Sequence, residues 1–283
     1  MDDQPNADEK EYWSGPSGLG WIDFEETLDT LFQPVTDTIL RAAGLATGER
    51  VLDIGCGTGA HSLTAARIVG NGGRVMATDI SEPLLNRTRE RAEALDLTVE
   101  TEIADGQTYG FEAGAFDLVT SRFGVMFFAD PAMAFSNIAG AVRSGGKMVF
   151  GVWAPVRDNP WWYLPSTAAK GVLGDVPRSE PNAPGPMGLA DVDYVASIFR
   201  EADIGSFDIE PVDVLMTHPG GVDVVTHMAM NVGSAARALR LYEADEGQRK
   251  AVGADLLMAL REFDSEDGFG IPAKINLIRV DVS

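Results

Sequence analysis

The chain concentrates its chemistry in residues 51–60, where an apolar run ends in the carboxylate of Asp53 and then passes through Gly55, Gly57 and Gly59. Glycine tolerates a sharp reversal from strand to helix and lets a ligand approach bare backbone. The spacing therefore predicts a strand, a glycine turn and a helix bordering a nucleotide-type pocket. The glycines alone fit two chemistries, because Gly55, Gly57 and Ala60 also satisfy the dinucleotide pattern G-x-G-x-x-A. Asp53 separates them. A carboxylate just ahead of the first glycine repels a pyrophosphate, whereas it accepts hydrogen bonds from a cationic amino group and attracts a sulfonium.

The downstream pattern extends the pocket. Arg74 to Asp79 reads as a second strand ending in an acid, about twenty residues past the turn, from which a carboxylate can take both ribose hydroxyls. Ser81 is expected to cap a helix with Pro83 in its first turn and Leu84, Leu85, Thr88, Ala92 and Leu95 at helical spacing. A third strand, Val99 to Ile103, runs into Ala104, Asp105 and Gly106, where the acid can accept from an adenine amino group.

These motifs, followed by Phe116 to Val119, Ser121 to Phe128 and Arg143 to Lys147, span about residues 48–153. In this order they resemble the class I S-adenosylmethionine-dependent methyltransferases, in particular the bacterial branch related to ubiquinone and menaquinone biosynthesis methyltransferases. The resemblance implies an α/β fold. It would be a Rossmann-like, doubly wound, seven-stranded and mostly parallel sheet, with a helical N-terminal lid and an insertion before the last strand. It implies S-adenosyl-L-methionine as cofactor and S-adenosyl-L-homocysteine as product. The implied binding set is Asp53, Gly55, Cys56, Gly57, Gly59, Asp79, Ile80, Ala104, Asp105, Gly106 and Arg122. In that set Gly55 and Gly57 line the methionine moiety, Asp79 holds ribose, Ile80 packs on adenine, Asp105 reads the adenine amine, and backbone around Arg122 meets the methionine end. A nicotinamide-dependent oxidoreductase and a cofactor-binding protein without transferase activity remain the alternatives.

Composition narrows the partners. With 43 acidic against 22 basic residues the formal charge is −21, which repels phosphate backbones and argues against a nucleic-acid substrate. An acidic surface also suits a salty cytoplasm. Cys56 is the single cysteine, so no disulfide framework is possible within the chain, and the three histidines form no metal-like cluster, so no metal is expected. No apolar run reaches the roughly 18 to 20 residues of a membrane helix, and the first residues lack a secretory pattern. A cytoplasmic enzyme without membrane insertion is the expectation.

The flanking segments are expected to choose the acceptor. Residues 1–45 read as the lid, frayed to about residue 12. Its aromatics Tyr12, Trp13 and Trp21 precede an amphipathic stretch carrying Leu28, Leu31, Phe32, Val35, Ile39 and Leu40. Residues 46–155 form the cofactor core, with Trp153 ending its fifth strand. Residues 156–283 hold the rest of the sheet, including strands at Ile204 to Leu215 and Lys274 to Val282, a proline-rich linker from Val176 to Pro186 and a helix near Asp191 to Ala202. An insertion at about 219–268, with helices at Val222 to Met230 and Ala251 to Phe263, would cap the acceptor or form a homodimer surface.

Trp13, Trp21, Met126, Phe127, Trp153, Trp161 and Trp162 are the expected acceptor-site residues, the last two in a loop that begins at Asn159. Aromatic faces stabilise a cation by about 0.5 to 2 kcal/mol, and an apolar wall excludes water. His227 and Tyr12 are the candidate bases. Ser121 to Gly124 carries no Asn-Pro-Pro-Tyr-like amide acceptor, which favours a small-molecule oxygen, sulfur or activated-carbon nucleophile.

Overall fold

In the computed structural model, which describes residues 5–177 and 179–283, helices α1 (Ala7–Ser14), α2 (Pro16–Asp23) and α3 (Glu25–Ala43) precede the first strand. Met1 to Gln4, at the start of the expected frayed segment, and Arg178, within the expected linker, lie outside the described residues. The chain continues through β1 (Arg50–Ile54), α4 (Ala60–Val69), β2 (Arg74–Asp79), α5 (Glu82–Ala94), β3 (Glu100–Ile103) and β4 (Phe116–Arg122). Next come α6 (Pro131–Gly140), β5 (Val142–Trp153), α7 (Pro160–Leu173) and α8 (Val192–Glu201). The last third holds β6 (Phe207–His218), α9 (Gly221–Ala229), α10 (Ser234–Leu241), α11 (Glu246–Leu260), β7 (Asp264–Ser265) and β8 (Gly268–Asp281).

The strands lie in the order β3-β2-β1-β4-β5-β8-β6, parallel from β3 to β5, with β8 antiparallel to both β5 and β6. The two-residue β7 pairs with β8 and makes the sheet eight-stranded rather than seven-stranded. Strand order reverses between β1 and β4, the switch point where a crevice opens beyond the carboxyl ends of parallel strands. In β1 the residues Val51, Leu52, Asp53 and Ile54 are all buried, as a central strand covered on both faces requires.

Helix α3 covers one face because Leu28, Leu31, Phe32, Val35, Ile39 and Leu40 form a continuous buried stripe, and Gly44 ends the helix in the left-handed conformation. Ile39 seats against Gly151 so closely that a Cβ at that glycine would stand 2.4 Å from Ile39 Cδ1. The expected insertion is present as α9, α10 and α11 between β6 and β8, with α10 and α11 packed on α7.

Three local expectations change. Residues 7–14 are helical rather than frayed, because Asn6 at the helix start is buried and hydrogen-bonded to Asp105 and Gln107. Trp161 and Trp162 lie in α7 rather than a loop. Asn159 precedes Pro160 at the first helical position, and its amide bonds to Ala154 and Lys274, tying the helix start to β8. Ser81 stands at the cap position of α5, but its hydroxyl donates to the Trp13 carbonyl at 2.8 Å, so the lid takes the group expected to cap the helix.

Candidate functional site

The turn after β1 holds Gly55, Gly57 and Gly59 at φ +67°, +59° and +87°, a region L side chains enter only with strain. The three glycines have different reasons to lack a side chain. A Cβ at Gly55 would sit 2.7 Å from Gly124 Cα, and one at Gly59 would sit 2.7 Å from Thr88 Cγ2. A Cβ at Gly57 would meet no atom of the described residues within 4 Å, so the tip of the turn is uncrowded by them. That tip is held from behind. Gly57 donates its N–H to Asp79 Oδ2 at 2.8 Å, and Thr88 Oγ1 donates to the Gly57 carbonyl at 2.8 Å. Asp79 Oδ1 also accepts from the Ser81 amide at 2.8 Å, which leaves acceptor capacity on both carboxylate oxygens. Cys56 is buried with Sγ 3.8 Å from Thr88 Oγ1, and burial pushes its thiol pKa well up, so it packs behind the turn.

Beneath the turn Asp53 is fully buried. Oδ2 accepts from Ser62 Oγ at 2.5 Å, while Oδ1 is buried without a hydrogen-bond partner among the described residues. Loss of water raises its pKa to about 7, against the opposing pull of the Ser62 hydrogen bond and the Arg122 charge. The Arg122 side chain donates to Thr36 Oγ1 at 3.1 Å and lies 5.7 Å from the Phe32 ring centroid. Desolvation lowers its pKa, and Asp29 and Asp53 offset part of that effect. Asp29 pairs with Arg91 through Oδ2, its Oδ1 is buried without a partner among the described residues, and Arg91 also donates to the Thr58 carbonyl at 2.7 Å. Helix α3, helix α5 and the glycine turn thus share one polar network.

His61 is buried behind the turn. Thr120 donates its hydroxyl to the Val149 carbonyl, so His61 Nε2 must be the donor in the 3.0 Å contact with Thr120. Nδ1 is then a bare lone pair without a partner among the described residues, and burial lowers the imidazole pKa to about 3. This is a neutral, structural histidine.

At the ends of β2 and β3 a cavity of about 230 Å³ is lined by Ile80, Ile103, Ala104, Asp105 and Thr108, with Asn6 and Lys10 from the α1 segment. Asp105 Oδ1 accepts from the Gln107 amide at 2.9 Å, and both carboxylate oxygens accept from Asn6 Nδ2 at 2.9 Å. Gly106 faces away from this cavity, since a Cβ there would meet the Phe128 ring at 3.1 Å.

The expected acceptor-site aromatics meet in one cluster. Trp13 contacts Trp21 and Phe127 edge-on at 6.0 and 5.4 Å, and Trp21 stacks near Phe32 at 6.2 Å. Phe32 touches Trp153 and Trp161, while Trp153 stacks on Phe123 at 4.2 Å and meets Trp162 edge-on at 5.7 Å. Trp153 and Trp161 are only 2% and 5% exposed, and Met126 is likewise buried, so these three work chiefly as packing. Trp13, Trp21, Phe127 and Trp162 are half-buried, and Trp162 Nε1 is a buried donor without a partner among the described residues. The two candidate bases stay outside the cluster's interior. Tyr12 is 46% exposed and edges onto Trp13, and His227 is exposed with its ring against Phe24.

Sequence reasoning missed Asn6, Asp29, Thr36 and Arg91. The signal for Arg91 was its helical spacing from Thr88, which turns both toward the glycine turn.

Residues 51–146 match the family model described as a methyltransferase domain. The chain is 36% identical over 120 residues to an aklanonic acid methyltransferase of a Streptomyces species, covering 42% of this chain and 54% of that protein. It is 34% identical over 134 residues to a nocamycin O-methyltransferase of Saccharothrix syringae, covering 47% of each. The chain thus spans about half the length of these two relatives. Among solved structures it is similar to a Haemonchus contortus phosphoethanolamine N-methyltransferase 2 in complex with S-adenosyl-L-methionine. There the TM-score is 0.58 at 17% identity, covering 99% of this chain and 60% of that one, a likeness of fold.

Proposed function

We propose that this chain, which carries a class I S-adenosylmethionine-dependent methyltransferase domain, moves a methyl group from that cofactor to an oxygen of a small, largely apolar acceptor. The observation that carries the reading is the buried Asp53 Oδ1, without a partner among the described residues, set beneath a glycine turn whose tip at Gly57 no described residue crowds. A desolvated carboxylate in want of a donor suits a cationic ligand and opposes a pyrophosphate.

The remaining residues fit the cofactor along its length. Gly57 leaves room for the chain of the methionine moiety, and Asp79 keeps acceptor capacity for ribose hydroxyls. The 230 Å³ cavity between Ile80 and Asp105 offers apolar faces for a purine and a carboxylate for its amine. Arg122, with Thr36 as its hydrogen-bond acceptor, retains guanidinium donors for a carboxylate. When bound, the cofactor would supply an electrophilic methyl group and a neutral thioether leaving group. The chain would contribute positioning and exclusion of water, through the half-buried Trp13, Trp21, Phe127 and Trp162 beside Arg122 and Phe32.

An oxygen acceptor draws support from the nocamycin O-methyltransferase relative. Tyr12 and His227 are both exposed, which favours an acceptor that ionises unaided, such as a carboxylic acid or an enol. The segments that choose it are α1 to α3 and the helices between β6 and β8.

The test is calorimetric titration with S-adenosylmethionine, S-adenosylhomocysteine and NAD in parallel, followed by an acceptor screen read as S-adenosylhomocysteine release. Micromolar binding of the first two, with product release on adding a carboxylic or enolic acceptor, supports the reading. Binding of NAD alone overturns it, and cofactor binding without release to any acceptor reduces the protein to a binder.

A further inference from the structure

The carboxamide of Asn6 makes four hydrogen bonds around the cavity at the ends of β2 and β3. Nδ2 donates to both oxygens of Asp105 at 2.9 Å and to Gln107 Oε1 at 3.2 Å, while Oδ1 accepts from the Ala129 amide at 2.8 Å. Chemistry fixes the orientation of this amide. Turned over, it would set its oxygen against a carboxylate and its NH₂ against a backbone N–H.

The contact spans 99 residues and is half or fully buried. It does not fill the cavity, which keeps about 230 Å³ with Asn6 and Asp105 both in its wall. Around Asp105, Oδ1 takes two donors, Asn6 Nδ2 and the Gln107 amide, whereas among the described residues Oδ2 takes Asn6 alone. A carboxylate oxygen accommodates about two donors. Oδ2 therefore keeps one acceptor position, and the clamp prevents the carboxylate from rotating.

We propose that Asn6 is a specificity-determining positioning residue. It locks the Asp105 carboxylate so that its remaining acceptor position selects a purine bearing an exocyclic amine over one bearing a 6-oxo group. This rests on the reading of the cavity as the adenine end of the cofactor site. The segment at residues 5–14 is then part of base recognition, as well as a cover.

The test compares dissociation constants for S-adenosylhomocysteine and its 6-oxo counterpart, S-inosylhomocysteine, in the wild type, Asn6→Ala, the nearly isosteric Asn6→Asp and, as a control on the exposed face of α8, Arg200→Ala. The wild type should prefer the amine by about tenfold or more, the worth of one hydrogen bond to a charged group. Asn6→Ala and Asn6→Asp should bring that preference close to unity, chiefly by weakening S-adenosylhomocysteine, while Arg200→Ala retains it. A preference unchanged in both Asn6 variants overturns the proposal. So does tighter binding of both nucleosides in Asn6→Ala, which would make Asn6 a competitor of the base. If the wild type binds neither nucleoside, the cofactor reading itself falls and this inference with it. If it binds both equally, the cofactor reading stands and only this inference fails.

Discussion

Asp79 Oδ2 accepts the backbone N–H of Gly57 at 2.8 Å, so the acid that ends β2 holds the tip of the glycine turn that follows β1. On the proposed reading the residue has two duties, ribose recognition and support of the turn. Asp79→Ala is expected to weaken S-adenosylhomocysteine binding by several kcal/mol, at about 1.5 to 3 kcal/mol for each charge-assisted hydrogen bond lost. It should also lower the melting temperature. Calorimetry and a thermal melt on the same preparation check both, and unchanged affinity in the folded variant would remove Asp79 from the site.

Gly57→Ala and Gly59→Ala should separate binding from folding. Both positions have positive φ, so each variant incurs about 1 kcal/mol of backbone strain. At Gly59 the new methyl also collides with Thr88, whereas at Gly57 it enters open space. Gly59→Ala should lose more stability. Gly57→Ala should melt close to wild type yet bind S-adenosylhomocysteine poorly, and full affinity in that variant would place the ligand elsewhere.

Asp53 should make cofactor binding pH-dependent. Its pKa rises from 3.8 to about 7 in the folded protein, so between those values the native state holds a proton that the unfolded chain has released. Stability of the ligand-free protein should therefore fall, through this group, as pH rises from about 4 to about 7, and level off above. A cationic ligand favours the ionised form, so affinity for S-adenosylmethionine should climb with pH through about 7 and binding should release protons. Titrations in buffers of different ionisation enthalpy detect that release. Asp53→Asn should abolish it.

His61 acts in the opposite direction. Its pKa drops from 6.5 to about 3, so the unfolded chain takes up a proton that the native state excludes. The stability from the neutral buried ring is complete above pH 6.5 and is lost as pH falls toward 3. His61→Gln, which can still donate to Thr120, should flatten the acid limb of stability between those values. An unaltered acid limb in denaturant melts would contradict the assignment.

Trp161 and Trp162 should behave differently despite being neighbours. Trp161 is buried against Phe32, so Trp161→Ala should cost about 3 to 5 kcal/mol of stability whatever the acceptor. Trp162→Phe keeps the aromatic volume and removes a buried N–H without a partner among the described residues, which should leave stability equal or higher. If that N–H orients the acceptor, the variant should raise the acceptor KM while leaving cofactor affinity alone. Loss of both would mean a shift of the lid.

The parts of the fold legible in the sequence were those where one local pattern decides the outcome. The apolar run into Asp53, the alternate glycines and the stripe from Leu28 to Leu40 each name their own element. Boundaries slipped where a strand outlasts its apolar signal. The last strand begins at Gly268 rather than near Lys274, because the long antiparallel pairing with β6 supplies the ladder through Gly270 and Pro272. Helix α1 was illegible because it lacks an apolar stripe. Asn6 holds it through polar contacts to residues about a hundred positions away, and local periodicity carries no trace of such contacts. For the same reason the Asp29 and Thr36 contacts to the site could not be read from spacing alone.

Gly55 and Gly124 meet backbone to backbone, closer than any side chain would permit. This joint makes the glycine turn and the segment after β4 a single mechanical piece, which neither half can alter by enlarging a residue at the seam. On the proposed reading, room for bulkier acceptors has to come from beyond the joint, at residues 125–130 or in the three helices carried between β6 and β8. Those helices form a cassette strung between two adjacent antiparallel strands. They pack against α3 and α7, and α3 reaches the glycine turn through Asp29 and Arg91, so the cassette and the turn are mechanically linked through one helix.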